Sequence, residues 1–161
     1  MIGKGKYHMA YASKELKDKV NALIKEVAKE MNVKLGFSIK IENHSKISVN
    51  IRSCSIDLAK EHREFIEERY NYVVEHNLQD VPRYERIVQI KNYLDNYGEI
   101  RFSKDNPGEV FSGKALELME KIRDAVKCEY YNDSDVMRDY FDIAYYYDIK
   151  IGDSASGFKV V

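Results

Sequence analysis

The chain has no tryptophan, only two cysteines and two prolines, and apolar runs of just a few residues. Each scarcity removes a class of protein. A helix that crosses a bilayer needs about 20 mostly apolar residues, and no stretch here approaches that. With so little proline and no low-complexity tract, nothing marks a linker, and the 161 residues read as one domain, 1–161. Cys54 and Cys128 stand 74 positions apart with no C-x-x-C and no adjacent base, so they read as reduced thiols rather than a disulfide or a nucleophile. Met1-Ile2-Gly3-Lys4-Gly5-Lys6 lacks the apolar core of a secretory leader and reads as a loose basic tail over 1–6. A cytoplasmic location is therefore expected.

What is present is a globular balance, 44% hydrophobic against 33% charged, which excludes disorder. A net charge of −1 conceals an asymmetry: residues 1–52 carry eleven Lys/Arg against five Asp/Glu, and residues 53–161 carry fifteen against twenty-two. Residues 129–153 hold seven acids and two bases. If these segments face apart, the molecule has a basic side and an acidic side, which bears on partners rather than on fold.

Ser13 is a helix N-cap, and the series Leu16, Val20, Leu23, Ile24, Val27, Ala28, Met31 makes one apolar stripe over about 14–31. The period then changes to two. Leu35, Phe37, Ile39 and Ile41 alternate with polar residues, as do Ile47, Val49 and Ile51 after the turn Asn43-His44-Ser45, which predicts a hairpin over 34–52. Helical spacing returns over 58–77 and is broken at Asp80-Val81-Pro82. Residues 83–96 suit a short helix, although Val88-Gln89-Ile90 also suits a strand. Ser112 caps a helix over 113–127. A strand over 139–151 places Phe141, Ile143, Tyr145, Tyr147, Ile149 and Ile151 on one face and Asp142, Ala144, Tyr146, Asp148 and Lys150 on the other. The order α-β-β-α-(α)-α-β predicts an α+β fold, a small antiparallel sheet of three or four strands covered by helices.

Catalytic chemistry is hard to find. His62 and His76, on one predicted helix, are separated by about 21 Å at 1.5 Å per residue and cannot share a metal. No H-E-x-x-H or Cys/His ligand set occurs, and Asn132-Asp133-Asp135 lacks the glycine and distal glutamate of a calcium loop. Gly3 and Gly5 follow no strand and form no phosphate loop. The expectation is no metal, no cofactor and no enzyme activity.

Thirteen tyrosines are more informative, six of them (Tyr130, Tyr131, Tyr140, Tyr145, Tyr146, Tyr147) within 130–147. Tyrosine buries area at low entropic cost and keeps a polar tip, which suits interfaces. Tyr145 and Tyr147 alternate with core residues, whereas Tyr146 points the other way beside Asp142 and Asp148. Together with Asp133, Asp135 and Asp139 these residues form a candidate surface for a basic partner; the same pattern also describes a plain solvated sheet face. The alternative surface is Lys14, Lys17, Lys25 and Lys29 on the first helix, suited to non-specific phosphate contact. No arginine precedes Arg52, so bidentate base reading has no support there.

In sequence order, Tyr11-Ala12-Ser13, Gly36-Phe37-Ser38-Ile39-Lys40, Ser55-Ile56-Asp57, Tyr130-Tyr131-Asn132-Asp133-Ser134-Asp135, Asp139-Tyr140-Phe141 and Ile149-Lys150-Ile151-Gly152 resemble a large polyvalent protein-associated domain. Such domains occur in proteins of phages and mobile elements. In that family the sheet continues after Ser-Ile-Asp, whereas a charged helical pattern follows here, so 55–58 is either strand or helix start. The resemblance implies a mobile-element protein in a bacterial host and no catalytic residues. It further implies an anti-defence role, with a CRISPR effector nuclease as the expected partner and inhibition of DNA binding or cleavage as the expected action. A nucleic-acid-binding accessory domain is the alternative.

Overall fold

The computed structural model describes residues 7–135, 137, 141–152 and 157–161. The expected tail over 1–6 lies outside them, as does Asp139. The chain folds as two compact units, one of residues 1–55 with 121–161 and one of residues 56–120.

In the first unit, β1 (Tyr7–His8) precedes α1 (Lys14–Glu30), β2 (Leu35–Glu42) and β3 (Lys46–Cys54). Ser13 caps α1 as its sequence predicts: its Oγ accepts the Leu16 N–H at 3.0 Å. Leu16, Val20 and Ile24 are the buried stripe of that helix, which packs along β2. The hairpin is antiparallel, with Phe37 opposite Ile51, Ile39 opposite Val49 and Ile41 opposite Ile47. Ile47, Val49 and Ile51 are fully buried and anchor the core. After the second unit the chain returns as β4 (Phe141–Asp142), β5 (Tyr146–Ile151) and β6 (Lys159–Val160).

The α+β class and the element order are those expected, but the sheet is mixed. β5 runs parallel to β3, pairing Ile47 with Tyr147, Val49 with Ile149 and Ile51 with Ile151, and β6 also pairs with β3 in parallel. The reason is connectivity. A short turn forces β2 and β3 antiparallel, whereas β3 and β5 are joined through the whole of the second unit, and a long crossover permits the parallel sense.

The strand expected over 139–151 is also interrupted. β4 pairs with β1, not with β3. Between β4 and β5 the Ala144 N–H donates to the Tyr131 carbonyl at 3.0 Å and its carbonyl accepts from Tyr11 at 2.9 Å, so this backbone is satisfied outside the main sheet.

In the second unit, α2 (Leu58–Glu75) is followed by a short 3-10 turn at Pro82–Tyr84, α3 (Glu85–Tyr97) and a second 3-10 turn at Pro107–Glu109. Asp57 caps α2, its Oδ1 accepting the Lys60 N–H at 3.1 Å, so the 55–58 segment is a helix start. Val88-Gln89-Ile90 is helical, within α3. Gly98, at φ 67°, ends α3 in the left-handed conformation that glycine adopts without penalty. α4 (Gly113–Val126) begins in this unit and ends in the first. Among the described residues no helix is long and apolar enough to cross a membrane.

Candidate functional site

The alternation of β2, β3 and β5 leaves one sheet face polar. Ser38, Asn50 and Lys150 lie side by side in register, as do Lys40, Ser48 and Asp148, and then Glu42, Lys46 and Tyr146. Tyr146 is 50% exposed, whereas Tyr145 and Tyr147 are buried as expected. The face is not acidic. The Lys46 Nζ lies 3.5 Å from Glu42 and 4.0 Å from Asp148, and the Lys150 Nζ lies 3.9 Å from Asp148. Arg52 lies on this face as well, its Nε donating to the Ser38 Oγ at 3.1 Å. Lys40, Lys46, Arg52 and Lys150 thus outweigh Glu42 and Asp148. Parallel pairing with the basic β3 neutralises the acid that the sequence of β5 advertises.

Asp142 is not on that face, since β4 belongs to the other small sheet. The structure brings it instead to the turn at 131–135. Asp133 donates its N–H to the Asp142 carbonyl at 2.8 Å, and Asp142 donates its own N–H to the Ser134 Oγ at 2.8 Å. The Tyr131 phenol lies near the Asp142 carboxylate. Partial burial pushes the Tyr131 phenol above its ordinary pKa, and the charges of Asp142 and Asp133 push it the same way. Asp135 follows in the same segment, its Oδ1 accepting the Met137 N–H at 3.1 Å, and Met137 is 94% exposed. The candidate residues therefore divide. Asp133 and Asp142 lie near Tyr131, Asp135 follows in the same turn beside Met137, and Tyr146 and Asp148 sit among lysines.

Of the helix lysines, Lys14, Lys25 and Lys29 are exposed and Lys17 is half-buried, with the exposed Asp18 among them. Lys19 is held by Glu129 at 3.3 Å. The expected separation into a basic N-terminal side and an acidic C-terminal side does not follow the chain, because both ends share the first unit. That unit carries 17 Lys/Arg against 13 Asp/Glu, and the second carries 9 against 14.

Cys54 is buried and Cys128 half-buried, and neither is joined in a disulfide. Burial chiefly raises the Cys128 pKa, which disfavours the thiolate. Among the described residues no group of three or more His, Cys, Asp or Glu is placed to hold a metal ion.

Sequence reasoning did not anticipate a groove in the second unit, where α2 meets α3. It has a volume of about 550 Å³. Its apolar base is the buried Val73 and Ile90 with the half-buried Ile87, and Arg69, Arg83 and Arg86 line it together with Tyr72, Tyr84, Glu68 and Glu109. Arg86 is tied to Glu109, its Nε and Nη2 donating to Oε1 at 3.1 and 2.8 Å. Arg83 lies over the Tyr84 ring at 4.9 Å and donates to the hydroxyl at 2.6 Å. Tyr72 stacks on His76 with centroids 4.2 Å apart. The arginine and tyrosine spacing within each helix is visible in the sequence; that two helices bring these residues to one groove is not.

No protein-family model, curated protein or solved structure matches this chain.

Proposed function

We propose that the protein is a non-enzymatic binding protein that inhibits by occupying a basic surface of its partner. The observation that supports this reading is the Tyr131 phenol set against Asp133 and Asp142 on an exposed turn, next to the fully presented Met137. Tyrosine and methionine supply apolar area, and the carboxylates supply the charge that a nucleic-acid-binding surface attracts. With the resemblance to mobile-element domains, the partner is a CRISPR effector nuclease of the bacterial host, and the step blocked is DNA binding or cleavage. The test is titration of a guide-loaded type II effector. Cleavage should fall stoichiometrically with the guide RNA intact, and Asp133→Lys with Asp142→Lys should weaken inhibition by at least about tenfold. Unchanged cleavage together with no co-purification sinks the proposal.

The second reading is a nucleic-acid-binding accessory domain. It is favoured by the excess of cations on the polar sheet face, with the α1 lysines as the surface first expected. A shift of DNA by the protein alone, lost as salt rises, would support it. Lys40→Glu with Lys150→Glu, compared with Lys25→Glu and Lys29→Glu, would separate the sheet from the helix. Absence of any shift at low salt removes this reading.

A further inference from the structure

We propose that the groove where α2 meets α3 takes a short acidic peptide segment that inserts an apolar side chain. This inference does not rest on the partner surface proposed above, since it concerns different residues on the other unit.

Three observations carry it. The first is composition. A base of Val73, Ile87 and Ile90 flanked by tyrosines and arginines has the make-up of a binding hot spot, in which an apolar anchor is excluded from water and ringed by Tyr and Arg. The volume of about 550 Å³ fits a few side chains rather than a folded domain. The second is charge. The unit as a whole is acidic, with 9 Lys/Arg against 14 Asp/Glu, yet three arginines and only two glutamates line the groove. Arg86 is already engaged by Glu109, whereas no carboxylate of a described residue lies within ion-pair distance of Arg69 or Arg83. Both guanidiniums are pre-positioned on aromatic rings, Arg69 over Phe65 at 4.8 Å and Arg83 over Tyr84 at 4.9 Å. An arginine so ordered loses less entropy when it meets a carboxylate. The third is the start of α3. Its N-cap, Tyr84, makes no side-chain capping hydrogen bond, and Arg86 and Ile87 of its first turn line the groove, so the helix dipole also favours a negative group there.

A peptide is favoured over a nucleoside phosphate by the two glutamates. Glu68 and Glu109 would repel a polyanion, whereas single carboxylates match single guanidiniums that have no carboxylate partner among the described residues.

A phage-displayed random peptide library panned on the full chain tests the proposal. Enriched peptides should carry two or more Asp/Glu around a Leu, Ile or Phe, with Kd in the range of about 1–100 µM. Binding should fall at least about tenfold in Arg69→Gln with Arg83→Gln and further in the corresponding Glu variants. Both arginines are exposed, so unchanged thermal melting of the Gln variant establishes that the fold is intact. Three results each overturn the proposal: no enrichment over the Gln variant, enriched peptides without acids, or saturable arginine-dependent binding of AMP in place of peptides.

Discussion

The Tyr145 hydroxyl donates a hydrogen bond of 2.8 Å to the carbonyl of Val126, the last residue of α4. The same oxygen accepts the Glu129 N–H at 3.3 Å. One phenol, placed just before β5, thus satisfies a helix-end carbonyl and the backbone that leaves the helix. Burial pushes the Tyr145 pKa up to about 12.

Tyr145→Phe should therefore cost about 1–3 kcal/mol, because it strands a buried carbonyl rather than removing a contact alone. Urea denaturation at pH 7 measures it. In the wild type, a phenol held neutral by the fold contributes stability that is full below about pH 10 and lost as pH rises toward 12. Ultraviolet titration should show one fewer late-ionising tyrosine in the variant than in the wild type.

His62 is fully buried on α2 against Phe111, with ring centroids 5.8 Å apart. Neither ring nitrogen has a partner at full hydrogen-bonding geometry, although the Val110 backbone gives partial compensation. Burial lowers its pKa to about 4, so the folded chain refuses a proton that the unfolded chain accepts. Stability is full above about pH 6.5 and falls as pH drops toward 4, by about 3 kcal/mol in all. His62→Leu should lose less stability than wild type between pH 7.5 and 4.5. Equal losses in urea midpoint would refute this account.

Gly152 ends β5 at φ 72° and donates its N–H to the Ile51 carbonyl at 2.8 Å. A Cβ there would lie 2.8 Å from the Gly157 carbonyl carbon and 2.9 Å from the Phe158 nitrogen. Gly152→Ala should cost about 2 kcal/mol or more, from the left-handed conformation and the clash with backbone together. Faster hydrogen exchange at Val161, whose N–H donates to Cys54 at 3.0 Å, would report loosening of β6.

Asp148→Asn should change stability by less than about 1 kcal/mol, because its partners Lys46 and Lys150 are substantially exposed and screened by water. Its effect on partner binding should likewise be smaller than that of Asp133→Lys. A large effect would place the interface on the sheet face.

Most elements are legible locally. The stripe of α1 under its Ser13 cap, the hairpin alternation and the burial of Tyr145, Tyr147, Ile149 and Ile151 all follow from periodicity, since side-chain direction repeats every 3.6 residues in a helix and every two in a strand. Val88-Gln89-Ile90 is ambiguous in sequence because a three-residue window is too short to tell the two periods apart.

What the linear pattern could not carry is who stands beside whom. The parallel sense of β5 depends on a crossover through the second unit, and that sense sets Asp148 next to Lys46 on a face where cations outnumber acids. Asp142 joins Asp133 because the break before β5 takes it out of the main sheet. The groove of Arg69 and Arg83 exists because the chain turns back after α2 and packs α3 against it, a tertiary step that the spacing within either helix does not encode. Local spacing determines which side chains are inward; only the pairing of distant segments decides which charges cancel, and charge cancellation acts over a few ångströms of space rather than along the chain.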